Sequence, residues 1–238
     1  PSPVVRRGVS PGRSARLLRA RPAAAGAALA LLTLTACGGG AADPAGGNGL
    51  VSNVRVEDGD ALPNGVVLPR PYPVPAIPLG ATTGGSLDLA AATGTPLRLV
   101  FFGYTNCPDV CQTVMASITS ALTRLEADQR SEVEMVFVTT DPSRDTVPVL
   151  RRYLGRFDPR FVGLTGELDR VVALGAGFDV EVARGRRLPS GGYEVEHGTP
   201  VLGLLPDGTA PFVWTDATSP AALAEDLRII LDGEVPLA

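Results

Sequence analysis

The stretch Leu99 to Met115 most narrowly limits what this chain can fold into. It opens with Leu99-Val100-Phe101-Phe102, a short apolar run rich in β-branched and aromatic residues that ends at Gly103 and reads as a buried strand. A loop follows. From Pro108 and Asp109, residues suited to a helix start, a helical period runs through Val110, Val114, Ile118, Leu122 and Leu125. Cys107 and Cys111 therefore sit at a strand-to-helix turn in C-x-x-x-C spacing. A helix starting near Pro108 would place both sulfurs on one side of its first turn, where free backbone amides favour the thiolate form.

Such a pair can form a disulfide or hold a soft metal ion. Zinc sites usually draw on two such pairs or on additional histidines, and the chain has three cysteines and one histidine in all. Cu(I) is satisfied by two thiolates and an imidazole. A disulfide between neighbouring helical turns would close a small loop and stabilise little.

The remaining chain reads as an α/β fold. Val133 to Thr139 is a second central strand, and the strand-helix-strand order favours parallel pairing by a right-handed crossover. Chemistry in open α/β sheets gathers at the carboxyl ends of the strands, so the cysteine loop and Thr140 to Asp145 should be neighbours. Asp141 reads as a hydrogen-bond acceptor behind the cysteines or as a helix-start device, and Asp109 as a further acceptor near them. Asp145 or Thr146 reads as the cap of a helix through Leu150 and Leu154. Thr165 is the expected cap of a helix from Glu167 to Leu174. Leu68 to Pro78, with Pro69, Pro71, Pro73, Pro75 and Pro78, should run extended along the surface. Ile77-Pro78-Leu79 and Ser86-Leu87-Asp88-Leu89, split by Thr83-Gly84-Gly85, predict a small N-terminal hairpin ahead of the main fold. A second hairpin is expected where Phe178 to Ala183 and Tyr193 to Glu196 flank an Arg184 to Gly192 loop whose tip carries Arg184, Arg186 and Arg187. Val201 to Leu205 and Pro211 to Thr215 form a third around Pro206-Asp207-Gly208. Ser219-Pro220 opens a last helix and Gly233 closes it. His197, the single histidine, lies in a polar turn before a strand.

The first part of the chain reads differently. Arg6, Arg7, Arg13, Arg16, Arg19 and Arg21 precede an apolar run, Ala23 to Thr35, that is too short to span a bilayer and fits a signal-peptide core. Leu34-Thr35-Ala36-Cys37 resembles the bacterial lipoprotein cleavage box. It predicts a signal peptide at 1–36, then a lipidated Cys37 with a Gly/Ala-rich tether over 37–67. The folded domain is expected at 68–238. Lipidating Cys37 would leave the pair in the turn as the remaining thiols. The part from Cys37 onward keeps 15 arginines against 25 acidic residues, a balance that argues against nucleic acid as a partner.

The segment Gly103-Tyr104-Thr105-Asn106-Cys107-Pro108-Asp109-Val110-Cys111 resembles the core motif of the Sco/SenC family of copper chaperones. Asp141-Pro142-Ser143-Arg144-Asp145-Thr146, followed by Leu150 and Tyr153, and Glu196-His197-Gly198 resemble that family's next two blocks, in the same order. The resemblance covers roughly Leu68 to Leu231. It implies a thioredoxin-like central sheet flanked by helices and copper, as Cu(I) and also Cu(II), held by Cys107, Cys111 and His197. It also implies a role in assembling the binuclear copper site of cytochrome c oxidase. The chain departs from the family pattern at Gln112 and Glu196, neither of which is a ligand position. The implied partners are the copper-site subunit of the oxidase and an extracytoplasmic thiol reductant. The implied location is the outer face of the bacterial cytoplasmic membrane. A metal donor of this kind should carry a shallow site. The competing reading is a thiol-disulfide oxidoreductase that uses the same two cysteines and dispenses with His197.

Overall fold

A computed structural model describes residues 62–91, 94–187, 193–197 and 199–235. In chain order the strands are β1 (Val66–Pro73), β2 (Leu79–Ala81), β3 (Ser86–Leu87), β4 (Leu97–Gly103), β5 (Val133–Thr139), β6 (Val162–Thr165), β7 (Val182–Arg187), β8 (Tyr193–His197), β9 (Val201–Leu204) and β10 (Thr209–Trp214). The helices are α1 (Val110–Leu122), α2 (Ala127–Ser131), α3 (Val147–Leu154), α4 (Leu168–Ala176) and α5 (Pro220–Leu231).

All of β4 is buried, and its side chains alternate between two apolar layers, as strand geometry requires. Leu97, Leu99 and Phe101 join one layer with Met135, Phe137, Trp214 and the buried stripes of α1, α3 and α5. Val100 and Phe102 join the other with Val136, Val138, Val171 and Leu174. A strand covered on both faces has no solvent side, which is why Leu99 to Phe102 is apolar without interruption, while Arg98 earlier in β4 is buried in an ion pair with Glu134. β4 pairs with β5 in parallel from Leu97↔Val133 to Gly103↔Thr139, and β5 pairs in parallel with β6. β9, β10 and β1 extend the sheet antiparallel on one side, and β2 and β3 on the other, in the order β1-β10-β9-β4-β5-β6-β2-β3. This is the expected central sheet flanked by helices.

The Pro-rich segment runs extended and largely exposed in its first part, as expected, and it is also paired into the sheet. Its first part is β1, an edge strand that pairs with β10 at Val66 and Val67 and again at Tyr72 and Pro73, with a register shift between the two stretches. Edge strands tolerate proline because one side of their backbone needs no partner in the sheet. The predicted N-terminal hairpin forms as β2 and β3, but it is part of the sheet, with Gly80 opposite Thr165 and Ala81 opposite Leu164. The inserted hairpin is the separate ribbon β7–β8. β7 continues through Arg187, so Arg184, Arg186 and Arg187 lie within a strand, and the predicted tip at 188–192 lies outside the described residues. Glu167, not Thr165, holds the position before α4. The short α2 has no buried face, so no apolar stripe announced it. Among the described residues no helix is long and apolar enough to cross a membrane. Residues 1–61, Cys37 included, lie outside the described part.

The chain leading into β1 is fastened to α5. Asp226 is buried and accepts hydrogen bonds from Trp214 Nε1 at 2.8 Å and Asn64 Nδ2 at 3.0 Å. Gly65 passes so close that a Cβ there would stand 2.4 Å from Trp214 Nε1. Burial pushes the Asp226 carboxyl above the ordinary carboxylate range, against the pull of its two donors. A carboxyl raised in the folded state holds its proton more tightly there than in the unfolded chain. Its contribution is therefore fully present below the unfolded value and declines as pH rises toward the folded value. Asp226→Asn keeps an acceptor for Trp214 and removes the titration. In urea unfolding, the stability difference between variant and parent should move in favour of the variant from about pH 4 to about pH 7. A difference that stays constant over that range would show that Asp226 carries no such burden.

Candidate metal site

β4 and β5 end side by side at Gly103 and Thr139, and the site is built on those two ends. Gly103 is required there, because a Cβ would meet the Phe101 and Phe137 rings at 3.0 Å. The backbone pairing continues one step beyond the strands, where the Thr140 amide donates to the Gly103 carbonyl at 2.7 Å. The chain then turns, with the Cys107 amide donating to the Tyr104 carbonyl at 3.2 Å.

Asp145 holds this turn in place. Its carboxylate accepts from the Thr105 amide at 2.8 Å, the Thr105 hydroxyl at 2.6 Å and the Thr139 hydroxyl at 2.7 Å. Thr146 holds the expected cap position of α3, without a side-chain cap bond, and the Asp145 carboxylate instead reaches across to the cysteine loop. Burial pushes the Asp145 carboxyl up, and the three donors oppose that. Asp141 is also buried. Its carboxylate accepts from the Ser143 hydroxyl at 2.8 Å and pairs with Arg144, and its amide donates to the Thr139 hydroxyl at 3.0 Å. The Arg144 guanidinium in turn lies 6.0 Å from the centre of the Tyr104 ring.

α1 begins at Val110, later than the Pro108 start expected from sequence, so Cys107 lies in the loop and Cys111 in the first helical turn. The Cys111 amide donates to Cys107 Sγ at 3.3 Å. That amide is one of the helix-start N–H groups with no partner inside the helix. Asp109 precedes the helix, exposed and without a side-chain cap bond, so a sulfur takes the part a capping oxygen usually plays. Both cysteines are free thiols, 5% and 0% exposed. The expected shallow site is therefore corrected, because Tyr104, Met115 and Phe137 share their buried layer with the sulfurs. The expectation that the helix start makes both sulfurs thiolate-prone is corrected for Cys111. Burial pushes its thiol well above the ordinary range, the hydrogen bond with Cys107 adds to this, and backbone donors only partly offset it.

His197 ends β8 opposite Val182 and is not in a turn. β9 begins soon after it at Val201, which pairs with Phe101 next to the carboxyl end of β4. Because β9 runs antiparallel to β4, the chain leaving His197 enters the sheet at the edge that bears the cysteine loop. The His197 side chain lies outside the described residues. Among the described residues no group of three or more His, Cys, Asp or Glu side chains gathers around a common point.

Tyr153, on α3, belongs to the second block of the resemblance but carries no role from sequence. It sits at the spacing of an apolar stripe, and only the structure reveals that it is buried, hydroxyl included, in the same layer as the sulfurs.

The SCO1/SenC family model matches residues 79–232, more than half of the chain. The chain belongs to the SCO1/SenC family. The mitochondrial SCO2 homolog of Danio rerio is 34% identical over 131 residues, 55% of this chain and 47% of that protein. The match thus spans about half the length of such curated relatives. Among solved structures, ScoI of Bradyrhizobium japonicum with copper bound is 27% identical with a TM-score of 0.57, covering 68% of this chain and 98% of that one. Apo Sco1 of Thermus thermophilus is 28% identical with a TM-score of 0.59, covering 72% and 96%. The SCO1/SenC fold is thioredoxin-like, and the cysteine loop stands at the carboxyl end of its central strand.

Removing the Asp145 anchor tests this construction. Asp145→Ala leaves the Thr105 amide and the Thr139 hydroxyl without their acceptor and should cost about 2–4 kcal/mol of unfolding free energy. Asp145→Asn, which keeps one acceptor oxygen, should cost about half as much. Hydrogen exchange at the Thr105 amide should rise in both variants. An alanine variant as stable as the parent would remove Asp145 from this role.

Proposed function

We propose that this chain is a membrane-anchored copper-binding protein that helps assemble the binuclear copper site of cytochrome c oxidase. In this reading Cys107 and Cys111 hold Cu(I) as thiolates and His197 supplies the third ligand. The observation that carries it is the hydrogen bond from the Cys111 amide to Cys107 Sγ, which keeps two soft donors together in one loop-helix junction. Two thiolates suit Cu(I), whose preference is for soft ligands and low coordination number. The copper-bound Bradyrhizobium relative supports the same choice of metal. Imidazole serves both Cu(I) and Cu(II), so His197 would let one site accept either oxidation state.

The residues divide the work. Asp145 and Thr105 fix the loop, the Cys111 amide stabilises negative charge on Cys107, and the buried apolar layer excludes water. Loading displaces protons from the thiols, because the ligands bind deprotonated. Outside the cytoplasm the pair needs a thiol reductant to stay ready for copper. Cys37 would carry the lipid that holds residues 37–67 as a tether, after removal of 1–36, at the outer face of the cytoplasmic membrane. The oxidoreductase alternative needs a readily ionised, accessible thiol. Burial of both sulfurs tells against ready attack on a partner's disulfide.

A Cu(I) titration against a competing chelator tests the site, using the reduced chain in a Cys37→Ser background. One copper per chain is expected. Cys107→Ser and Cys111→Ser should each abolish tight binding, and His197→Ala should weaken it by about 10–100-fold. Unchanged stoichiometry in the cysteine variants would overturn the assignment. Absence of copper binding, with ready cycling between dithiol and disulfide, would establish the oxidoreductase instead. The anchor is tested separately: Cys37→Ser should move the protein from the membrane fraction to the soluble fraction.

A further inference from the structure

Tyr153 packs on the apolar face of α3 with Leu150 and Leu154 and is 2% exposed. Its ring meets Phe137 at 5.6 Å and Phe157 at 5.3 Å between centroids, and the Arg156 guanidinium lies 5.0 Å from the ring centre. A phenol buried this deeply normally finds a hydrogen-bond partner. Among the described residues the Tyr153 hydroxyl has none. Phenylalanine would fill the same space without burying an unpaired hydroxyl, so packing alone does not account for tyrosine here.

The surroundings indicate what the hydroxyl serves. Tyr153 shares one buried layer with Cys107 and Cys111. Burial holds its proton on, and negative charge on Cys111, then on Cys107, holds it on more firmly, against the nearby Arg156. The phenol is therefore a donor at any working pH. A neutral thiol is a weak acceptor for such a donor, whereas a thiolate is a strong one.

We infer that Tyr153 is a positioning residue of the metal site, whose buried O–H is reserved for a thiolate of the Cys107–Cys111 pair. This rests on the copper-binding reading above. In the dithiol state the hydroxyl goes unsatisfied and costs stability. When Cu(I) binds, each ligating S–H bond gives way to a Cu–S bond and its proton passes to water. No electron is transferred, and the Tyr153 proton stays on the phenol and is donated to sulfur. Tyr153 thus favours the loaded state twice, by stabilising the thiolate and by destabilising the empty dithiol.

The test uses the full reduced chain in the Cys37→Ser background, with Cu(I) itself as the probe. Tyr153→Phe should lower Cu(I) affinity by about 10-fold or more in chelator competition, while the metal-free form unfolds at the same or higher denaturant concentration than the parent. The Cu–S charge-transfer absorption should move to lower energy, since a sulfur without its hydrogen bond holds its electrons less tightly. Phe157→Leu loosens the same aromatic cluster without removing the donor. It should lower stability and leave Cu(I) affinity within about 2-fold. Equal affinity in Tyr153→Phe and parent would overturn the inference while leaving the copper site intact. So would loss of affinity in Phe157→Leu as large as that in Tyr153→Phe, or loss of metal-free stability matching the loss of affinity. A parent chain that takes up no Cu(I) would overturn the copper-binding reading, and this role for Tyr153 would fall with it.

Discussion

The cysteine site depends on a carboxylate that belongs to neither cysteine. Asp145, after β5, takes three hydrogen bonds from Thr105 and Thr139 and so ties the loop that leaves β4 to the end of the neighbouring strand. The parallel register of β4 and β5 sets Gly103 beside Thr139. Asp145 extends that alignment into the loop, and only then can the Cys111 amide meet Cys107 Sγ. A loop held through one buried carboxylate is rigid at modest cost, because each of the groups it satisfies would otherwise be buried or half-buried without a partner.

Rigidity on one side is matched by separate construction on the other. The cysteines stand on a loop and helix anchored to the central parallel strands, whereas His197 comes from the β7–β8 ribbon, outside the main sheet. From His197 the chain passes through Gly198, Thr199 and Pro200 into β9. Under the copper-binding reading, two ligands are preorganised and the third arrives from an independently built element. A partner could then displace the imidazole without disturbing the sulfur pair. Such a division suits a protein that must hold copper and also release it.

What was legible in the sequence was mostly local. The apolar run Leu99 to Phe102 in β4, the helical period after Val110, the Pro206-Asp207-Gly208 turn and the Ser219-Pro220 helix start each declare themselves within a few residues, and the structure bears them out. The misses are long-range. Asp-Thr before an apolar helix reads as a cap, and nothing nearby in sequence reveals that the Asp145 carboxylate finds Thr105 instead. Alternating prolines in β1 read as a surface extension, because the β10 backbone that pairs with them is far along the chain. Tyr153 at i, i+3 spacing from Leu150 reads as core, which its ring is, while its hydroxyl acquires meaning only from what α3 packs against. Burial of the thiols was equally hidden, since a cysteine looks the same in sequence whether exposed or enclosed.

The remaining tension in the site is between burial and charge. The apolar layer that shields the sulfurs also pushes the Cys111 thiol up, whereas under the copper-binding reading that sulfur must bind as a thiolate. An exposed site would ionise more readily but would leave the sulfurs open to oxidation and to competing thiols. The fold accepts the desolvation and offsets it with donors aimed at sulfur. The Cys111 amide is one, fixed by the helix start, and the buried phenol of Tyr153 is proposed as another. Donors that gain full strength only when negative charge appears on sulfur favour the loaded state over the empty one more than they favour either alone. On this account the burial that makes the Cys111 thiol a reluctant acid also makes those hydrogen bonds strong, so the same low-polarity surroundings both oppose its ionisation without metal and reward it with metal.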